Sequence, residues 1–239
     1  MGRWFLLAAI AFALTAACGR AWYDPIDPGG ESGADGGDPS RTGDAGGGEG
    51  SDAGVLTTGS AAADTTLSAS EPGANFGALD VLRTAGSPGA TILIRFELGI
   101  VPADVAVQSL TLAVSTSGAA QDPSSVRIYR VFEDWTEGDE SGAPGEASWE
   151  LRAPGIAWTR AGCGVGSRDA AARAELDVDA PGARYEVDLP TSVVEGWIDD
   201  PTSNRGLALI ATSGSGIELV SSEGDDPAER PALVIEWAR

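Results

Sequence analysis

From about Asp64 onward, the apolar residues come in short runs separated by clusters of Gly, Pro, Asp and Ser. Leu110, Leu112 and Val114 alternate with small or polar residues, which predicts a strand with one buried face. Only 191–197 has the spacing of a short helical turn, and no amphipathic run reaches twelve residues. The pattern predicts an all-β domain, an antiparallel β-sandwich of the jelly-roll kind. Further runs that predict strands are 91–98, 126–132, 185–189, 206–211, 217–221 and 233–237.

A different pattern begins the chain. Arg3 is followed by an apolar run over 4–17 and then by Cys18. Fourteen residues form a helix of about 21 Å, shorter than the roughly 30 Å hydrocarbon core, which favours a signal peptide over a membrane span. Residues 14–18 (LTAAC) resemble the bacterial lipobox, although Thr15 stands where Leu is commoner. The resemblance implies that 1–17 is a lipoprotein signal peptide and that Cys18 is lipidated. The alternative is an ordinary signal peptide cut near Ala17, with Cys18 incidental.

Residues 18–63 consist mainly of Gly, Asp, Ser, Ala and Glu, with almost no large apolar residue after Ile26. Such a segment cannot bury enough surface to offset its ordering entropy, so we expect a disordered tether and a folded domain over 64–239. Gly19, rather than Asp, after Cys18 resembles the Gram-negative signal for the outer membrane. We therefore expect an exported monomer, held at the outer membrane or cell surface by its lipid anchor.

The charged residues exclude several kinds of site. All fifteen basic residues are Arg, and the chain contains no His and no Lys. His-based triads, His metal sites, lysine Schiff bases and P-loop lysines are therefore excluded. The formal net charge is −21, and 64–239 alone has 28 acidic residues against twelve Arg, which is −16. This charge repels phosphates, so we expect no nucleic-acid partner.

Short motifs over 63–239 resemble, in their order and spacing, the DNRLRE domain, which is related to carbohydrate-binding module family 96. The resemblance implies a β-sandwich of exported bacterial proteins, often found beside polysaccharide-degrading modules, with glycan binding in some members. Cys163 and the loop around it follow no part of that pattern, and we expect its thiol to be buried or incidental. The motifs are 63–66 (ADTT), 75–77 (NFG), 93–96 (LIRF), 107–112, 126–131, 135–137 (WTE), Trp158, 193–197, 204–206, 221–223 (SSE) and 230–233 (RPAL).

Candidate ligand-binding residues lie in the irregular stretch 137–183. Its aromatic residues, Trp149 and Trp158, suit stacking on sugar rings. The guanidinium group of arginine binds a carboxylate or sulfate through two parallel hydrogen bonds, which suits an acidic glycan. The alternative is that Trp158 fills the end of the sandwich and the arginines offset nearby acids. The candidate arginines are Arg152, Arg160 and Arg168.

Calcium is the one metal that the composition favours, because it takes carboxylate and carbonyl oxygens and needs neither His nor Cys. Asp64 with Asn75 is the candidate pair, and the family resemblance implies a structural calcium in sandwiches of this kind. Two other acidic pairs, Asp177 with Asp179 and Asp225 with Asp226, are further candidates. The alternative for each pair is ordinary solvated surface charge. We expect no other cofactor.

The predicted function is a lipid-anchored, non-catalytic binding module for polysaccharide. A structural or adhesive envelope lipoprotein that contacts protein partners is the alternative. A polysaccharide-degrading enzyme is a minor one, since a glycosidase needs two carboxylates at a set separation and the Ser and Thr residues have no His or Lys partner. A domain of net charge −16 repels an anionic polysaccharide at long range, whereas a neutral glycan meets no such penalty.

Overall fold

The computed structural model describes residues 53–58, 61–87, 89–99, 101–119, 122–212 and 216–239. The predicted signal peptide over 1–17, the predicted lipidation site Cys18 and most of the predicted tether lie outside these residues. Within the described part of the chain, no helix combines the length and the apolar character that a membrane span requires.

The described residues form thirteen β-strands, one α-helix over Ser192–Asp199 and a 3₁₀ turn over Pro201–Ser203. The strands are β1 Ala53–Thr58, β2 Ala63–Ser68, β3 Val81–Thr84, β4 Ala90–Arg95, β5 Ala106–Ser115, β6 Ser124–Arg130, β7 Leu151–Ala153, β8 Ile156–Ala157, β9 Ala174–Val178, β10 Arg184–Asp188, β11 Leu207–Ala211, β12 Ile217–Val220 and β13 Ala232–Ala238.

Two antiparallel sheets form the sandwich, and the prediction of an all-β fold is confirmed. One sheet has the order β1-β13-β5-β10 and the other β2-β4-β11-β6-β9, with two small pairs, β12-β3 and β7-β8, beside them. The main core lies between the large sheets, where Ile94 and Leu207 of one meet Leu112 and Leu233 of the other. Each such side chain contributes about 1.5–3 kcal/mol when fully buried. The predicted helical turn is the helix, which packs Trp197 into this core.

A second core covers the outer face of the five-stranded sheet. Leu93, Tyr129 and Ala208 of the sheet pack there against residues of 133–169, which we call the cover segment. Alternation along each strand explains this arrangement, because neighbouring residues such as Ile92 and Leu93 enter opposite cores. Both faces of this sheet are therefore buried. The cover residues in this core are Trp135, Ala147, Trp158 and Cys163, with Trp149 partly buried against them.

The predicted boundary between tether and domain at residue 64 is wrong in one respect. Residues 53–58 lie inside the predicted tether 18–63, but they form β1 and pair with β13 along their whole length. The sequence AGVLTT has the apolar and β-branched residues that strands favour, and it covers a sheet edge that would otherwise be open. Gly54 is necessary for close packing here, because a Cβ at this position would collide with the ring of Trp237. The folded unit therefore begins before Asp64.

Candidate functional site

Asp64 is buried at an unusual place for a carboxylate. It lies on β2, the edge strand of the five-stranded sheet, opposite Ile94 of β4. Side chains opposite each other in an antiparallel pair point to the same side, so Asp64 points to the side of the main core, as do Thr66 and Ser68 farther along β2. Its exposed fraction is only 1%. A carboxylate in this position needs partners, because burying an unpaired charge is costly.

Hydrogen bonds engage the backbone N–H and one of the two carboxylate oxygens of Asp64. Its Oδ2 accepts from the backbone N–H of Ser222 at 2.8 Å, and its own backbone N–H donates to Glu137 Oε1 at 2.5 Å. The other carboxylate oxygen, Oδ1, is buried and has no hydrogen-bond partner. Three separate parts of the chain therefore meet at Asp64: β2, the cover segment and the turn after β12.

Two further acids complete what we call the acidic cluster: Asp64, Glu137 and Glu223. One carboxylate oxygen from each lies within 4.8 Å of the other two. Burial raises the pKa of Asp64 to about 8, and the charges of Glu223 and Glu137 add to this, whereas the Ser222 N–H opposes it. Burial also raises the pKa of Glu137. The nearby cation is Arg95, whose charge lowers the pKa of Glu137 and so opposes the effect of burial. Its guanidinium lies 5.0 Å from the Trp135 ring centroid.

Asn75 positions Glu137, so the prediction that Asn75 is a metal ligand is wrong. Its Nδ2 donates to the backbone oxygens of Glu137 at 2.5 Å and Ala147 at 2.8 Å. Its Oδ1 accepts from the backbone N–H groups of Gly77 and Glu140. Because both donor hydrogens and the amide oxygen are already in use, the fully buried Asn75 leaves no oxygen lone pair for a cation.

The turn over 221–224 positions Glu223. Ser221 Oγ donates to the Leu79 carbonyl at 2.7 Å and accepts from the Glu223 N–H at 3.0 Å. Ser222 uses its N–H for Asp64 and its hydroxyl for the Glu223 carboxylate. The Glu223 side chain thereby lies beside Asp64 while the residue stays exposed to solvent.

Glu137 and Glu223 were not among the predicted ligands, although each lies within a motif of the family resemblance, 135–137 and 221–223. What the sequence could not indicate was that Asp64 meets Glu137, 73 positions away, and Ser222, 158 positions away in the turn that carries Glu223. The other predicted calcium pairs, Asp177 with Asp179 and Asp225 with Asp226, do not form such a group. Among the described residues, the acidic cluster is the one set of three acids whose oxygens converge in this way.

A groove of about 370 Å³ continues along the same face of β2. Thr66 and Ser68 line it from β2, Arg83 from β3 and Glu218 from β12, and the half-buried ring of Phe76 lies in its wall. Arg83 and Glu218 form an ion pair at 2.8 Å across the β3–β12 pair. Phe76 directly follows Asn75, so the hydrogen bonds that hold Glu137 also fix one wall of the groove.

The two predicted aromatic ligand residues belong to the second core. Trp158 is only 5% exposed, and its Nε1–H donates to the Ser148 carbonyl at 2.9 Å, so it presents no ring face to a ligand. Its prediction as a binding residue is therefore wrong, and it is a core residue on the outside of the five-stranded sheet rather than at the end of the sandwich. Trp149 is half-buried, with its ring against Gly89 and Gly162, where added side chains would collide with it.

Two of the predicted arginines fasten the cover segment instead of forming a free basic patch. Arg168 lies 3.7 Å from the Tyr129 ring centroid and donates to the Asp169 carbonyl. Arg152 donates to the Asp134 carbonyl at 2.8 Å. Arg160 is exposed, with its aliphatic stem beside Gly164. Because Arg152 and Arg168 are engaged in these contacts, the stretch does not present the group of free arginines that an acidic glycan would need.

Cys163 is buried and unpaired, as expected from the sequence. It adopts a left-handed backbone with φ of 53°, and burial raises the pKa of its thiol to about 12. A thiol in this state is a poor nucleophile, because the thiolate is the reactive form.

No family model matches the chain, and no curated protein matches it. The resemblance to the DNRLRE domain therefore stays a prediction.

Proposed function

We propose that this protein is a lipid-anchored, non-catalytic module that binds a polysaccharide in the groove along β2. The groove is the observation that carries the proposal. Its volume of about 370 Å³ lies within the range of about 300–1,000 Å³ that small-molecule sites occupy. Its lining also combines the two features that sugar recognition needs, one aromatic ring and several polar side chains.

The aromatic ring is Phe76, which is half-buried and therefore both held in place and partly accessible. A flat apolar ring packs against the C–H face of a sugar. The hydroxyls of Ser68 and Ser70, which lie 2.8 Å from each other, and the charged groups of Arg83 and Glu218 can exchange hydrogen bonds with sugar hydroxyls. Thr66, by contrast, is buried, and its hydroxyl accepts from the Arg83 backbone N–H. This arrangement supports recognition of one or two sugar units of a longer chain.

The charge of the groove favours a neutral polysaccharide. Its acids are Glu71 and Glu218 and its one arginine is Arg83, already paired with Glu218 at 2.8 Å. The domain as a whole carries a net charge of −16. An anionic chain would therefore meet repulsion both at a distance and in the groove, whereas a neutral chain would not.

The residue types in the groove support binding rather than catalysis. A glycosidase requires one carboxylate as acid and a second as base or nucleophile at a set separation. Glu218 is engaged by Arg83 and also accepts a hydrogen bond from Ser117 Oγ at 3.1 Å. Both contacts occupy the Glu218 carboxylate, and the other acid in the groove lining is Glu71, so the lining offers no pair of uncommitted carboxylates for an acid and a base.

A glycan microarray probed with the purified protein tests this proposal. We expect binding to neutral polysaccharides, weakened about tenfold in Phe76→Ala, since a ring contact contributes its buried apolar area and on the order of 1 kcal/mol beyond it. Arg83→Ala should also weaken binding, and its exposed side chain makes misfolding a poor explanation. Phe132→Ala is the matched control, because Phe132 is an exposed aromatic outside the groove lining. Absence of binding to any glycan, or equal loss in the control, would contradict the proposal.

The second candidate is an adhesive envelope lipoprotein that contacts protein partners. Its support is that Phe132 and Val165 are large apolar side chains with exposed fractions of 48% and 54%. They lie on neighbouring segments, since the Phe132 N–H donates to the Ser167 carbonyl. Exposed apolar side chains brought together by the fold are typical of protein-contact surfaces. Cross-linking on intact cells separates the two candidates: a stoichiometric protein partner lost in Phe132→Ala would favour adhesion.

A further inference from the structure

The strongest unexplained feature of the molecule is Asp64 Oδ1. It belongs to a carboxylate that is 1% exposed, and it has no hydrogen-bond partner, although the other oxygen of the same group is satisfied by Ser222. Buried polar atoms in folded proteins are almost always paired, and an exception points to a missing partner such as a water or an ion. One carboxylate oxygen of Asp64 lies within 4.8 Å of one from each of Glu137 and Glu223, so an ion held by this cluster would supply the missing partner of the Asp64 carboxylate.

The charges around Asp64 indicate the sign of that partner. Three carboxylates converge within 4.8 Å, and Arg95 is the arginine whose charge acts on Glu137. The guanidinium of Arg95 is also engaged elsewhere, because it donates to the Trp135 carbonyl and lies over the Trp135 ring. The cluster is therefore under-compensated, and a cation would lower its free energy.

The spacing and the donor atoms identify the class of cation. Two oxygens on opposite sides of a calcium ion, each 2.3–2.6 Å from it, are about 4.6–5.2 Å apart. Oxygens that all lie within 4.8 Å of one another can therefore be reached by one such ion. Carboxylate oxygens are hard ligands, which suit calcium and do not suit metals that prefer nitrogen or sulfur. The exposed Glu223 leaves an open side through which the ion and its remaining water ligands can enter.

We propose that Asp64, Glu137 and Glu223 bind one calcium ion, which fastens the cover segment and the 221–224 turn to the edge strand β2. Each ligand comes from a different part of the chain, so the ion acts as a cross-link between β2, the cover segment and the 221–224 turn. Asn75 contributes by holding the Glu137 backbone, not by binding the ion. The site is separate from the groove, and its test involves no glycan.

Titration calorimetry tests the proposal directly. The purified protein is stripped with EGTA, dialysed into calcium-free buffer and titrated with calcium chloride. We expect one ion per chain and a rise in the unfolding temperature as calcium is added, because a ligand that binds only the folded state stabilises it. Glu223→Gln should weaken binding by about tenfold or more, since calcium affinity follows the number of charged ligands. Asp64→Asn keeps the acceptor for Ser222 and should abolish binding.

The matched control is Glu229→Gln, which removes one negative charge from an exposed residue six positions farther along the chain. It should bind calcium as the unaltered protein does. Circular dichroism of calcium-free Glu223→Gln shows whether that variant folds, and its exposed side chain makes a normal spectrum the expected result. A dissociation constant weaker than about 1 mM, the weak end for extracellular calcium modules, overturns the proposal. Equal weakening in Glu223→Gln and Glu229→Gln also overturns it, because only the general acidity of the surface would then attract the ion.

Discussion

The backbone N–H of Asp64 donates to Glu137 Oε1 at 2.5 Å, although the two residues are 73 positions apart. This bond joins the edge strand of the five-stranded sheet to the segment that covers the sheet's outer face. It also links the acidic cluster to the groove, because Thr66 follows Asp64 on the same face of β2 and Phe76 follows the Asn75 that holds Glu137.

Asn75→Ala should destabilise the fold by about 3 kcal/mol. The substitution leaves the carbonyls of Glu137 and Ala147 and the N–H groups of Gly77 and Glu140 without their partner inside the protein, and each unsatisfied buried group costs about 1–3 kcal/mol. Partial access of water to these groups keeps the total below the simple sum. Urea unfolding measures the change. Gln108→Ala is the control: its amide bonds only to a nearby carbonyl on the surface, so stability should change by less than about 0.5 kcal/mol.

Trp158→Ala should cost about 3–5 kcal/mol, the usual range for removing a buried aromatic side chain. The loss combines the packing of the second core with the hydrogen bond to the Ser148 carbonyl. Chemical denaturation followed by circular dichroism is the measurement. Ile156→Ala removes a side chain from a residue that is 47% exposed, and a change as large as that of Trp158→Ala would contradict the assignment of Trp158 to the core.

The thiol of Cys163 should react with a disulfide reagent only after the protein unfolds. Burial raises its pKa to about 12, so at pH 8 it is protonated as well as inaccessible. A Cys18→Ser chain, in which Cys163 is the one remaining cysteine, isolates this reaction. Absorbance should stay flat in buffer and rise by one thiol per chain in denaturant. A fast reaction in buffer would mean that the cover segment opens readily.

The ion pair of Asp169 with Arg173 should make stability depend on pH in the acid range. Burial opposes ionisation of Asp169, but the bonds from Arg173, at 2.6 and 2.8 Å, outweigh it and lower the Asp169 pKa. A carboxyl whose folded pKa lies below its unfolded value contributes stability above the unfolded pKa, near 3.8. That contribution is lost as the pH falls through the folded pKa.

Arg173→Ala should therefore lower stability by about 1–3 kcal/mol at pH 7, since hydrogen bonds to a charged group are involved. The difference from the unaltered protein should shrink below about pH 4, where Asp169 takes up its proton. Arg127→Ala is the control, because the Arg127–Glu175 pair is exposed and exposed pairs stabilise little. Denaturant unfolding at a series of pH values gives both curves.

Removal of β1 should expose the edge of β13 and weaken the four-stranded sheet. A chain beginning at residue 61 loses the six pairings of Ala53–Thr58 and uncovers the Trp237 ring beside Gly54. We expect a lower unfolding temperature and self-association through the open edge, compared with a chain beginning at residue 49. Thermal unfolding and size-exclusion chromatography measure the two effects. Identical behaviour of the two chains would place the domain boundary at residue 64, as the sequence pattern predicted.

The candidate site was only partly predictable. Asp64 was selected because calcium takes carboxylate oxygens, but its partners could not be chosen among the other 27 acids of 64–239. Asn75 was selected with it as an oxygen ligand, and only the bonds around Asn75 show that its amide is already used. The aromatic residues of the cover segment illustrate the same limit. Trp158 lies in an irregular stretch without periodicity, so nothing in the local pattern indicates that it is buried.

The sequence by itself determined the properties that depend on neighbours along the chain. Alternation of apolar and polar residues, as over 110–114, determines which strands form and which face is buried, and the absence of His and Lys determines which chemistry is excluded. The tertiary structure decided everything that depends on segments far apart: the pairing of β1 with β13, the second core under the cover segment, and the meeting of Asp64 with Glu137 and Glu223. The physical reason is that packing and electrostatics act through space, and a linear pattern carries no distance between residues 64, 137 and 223.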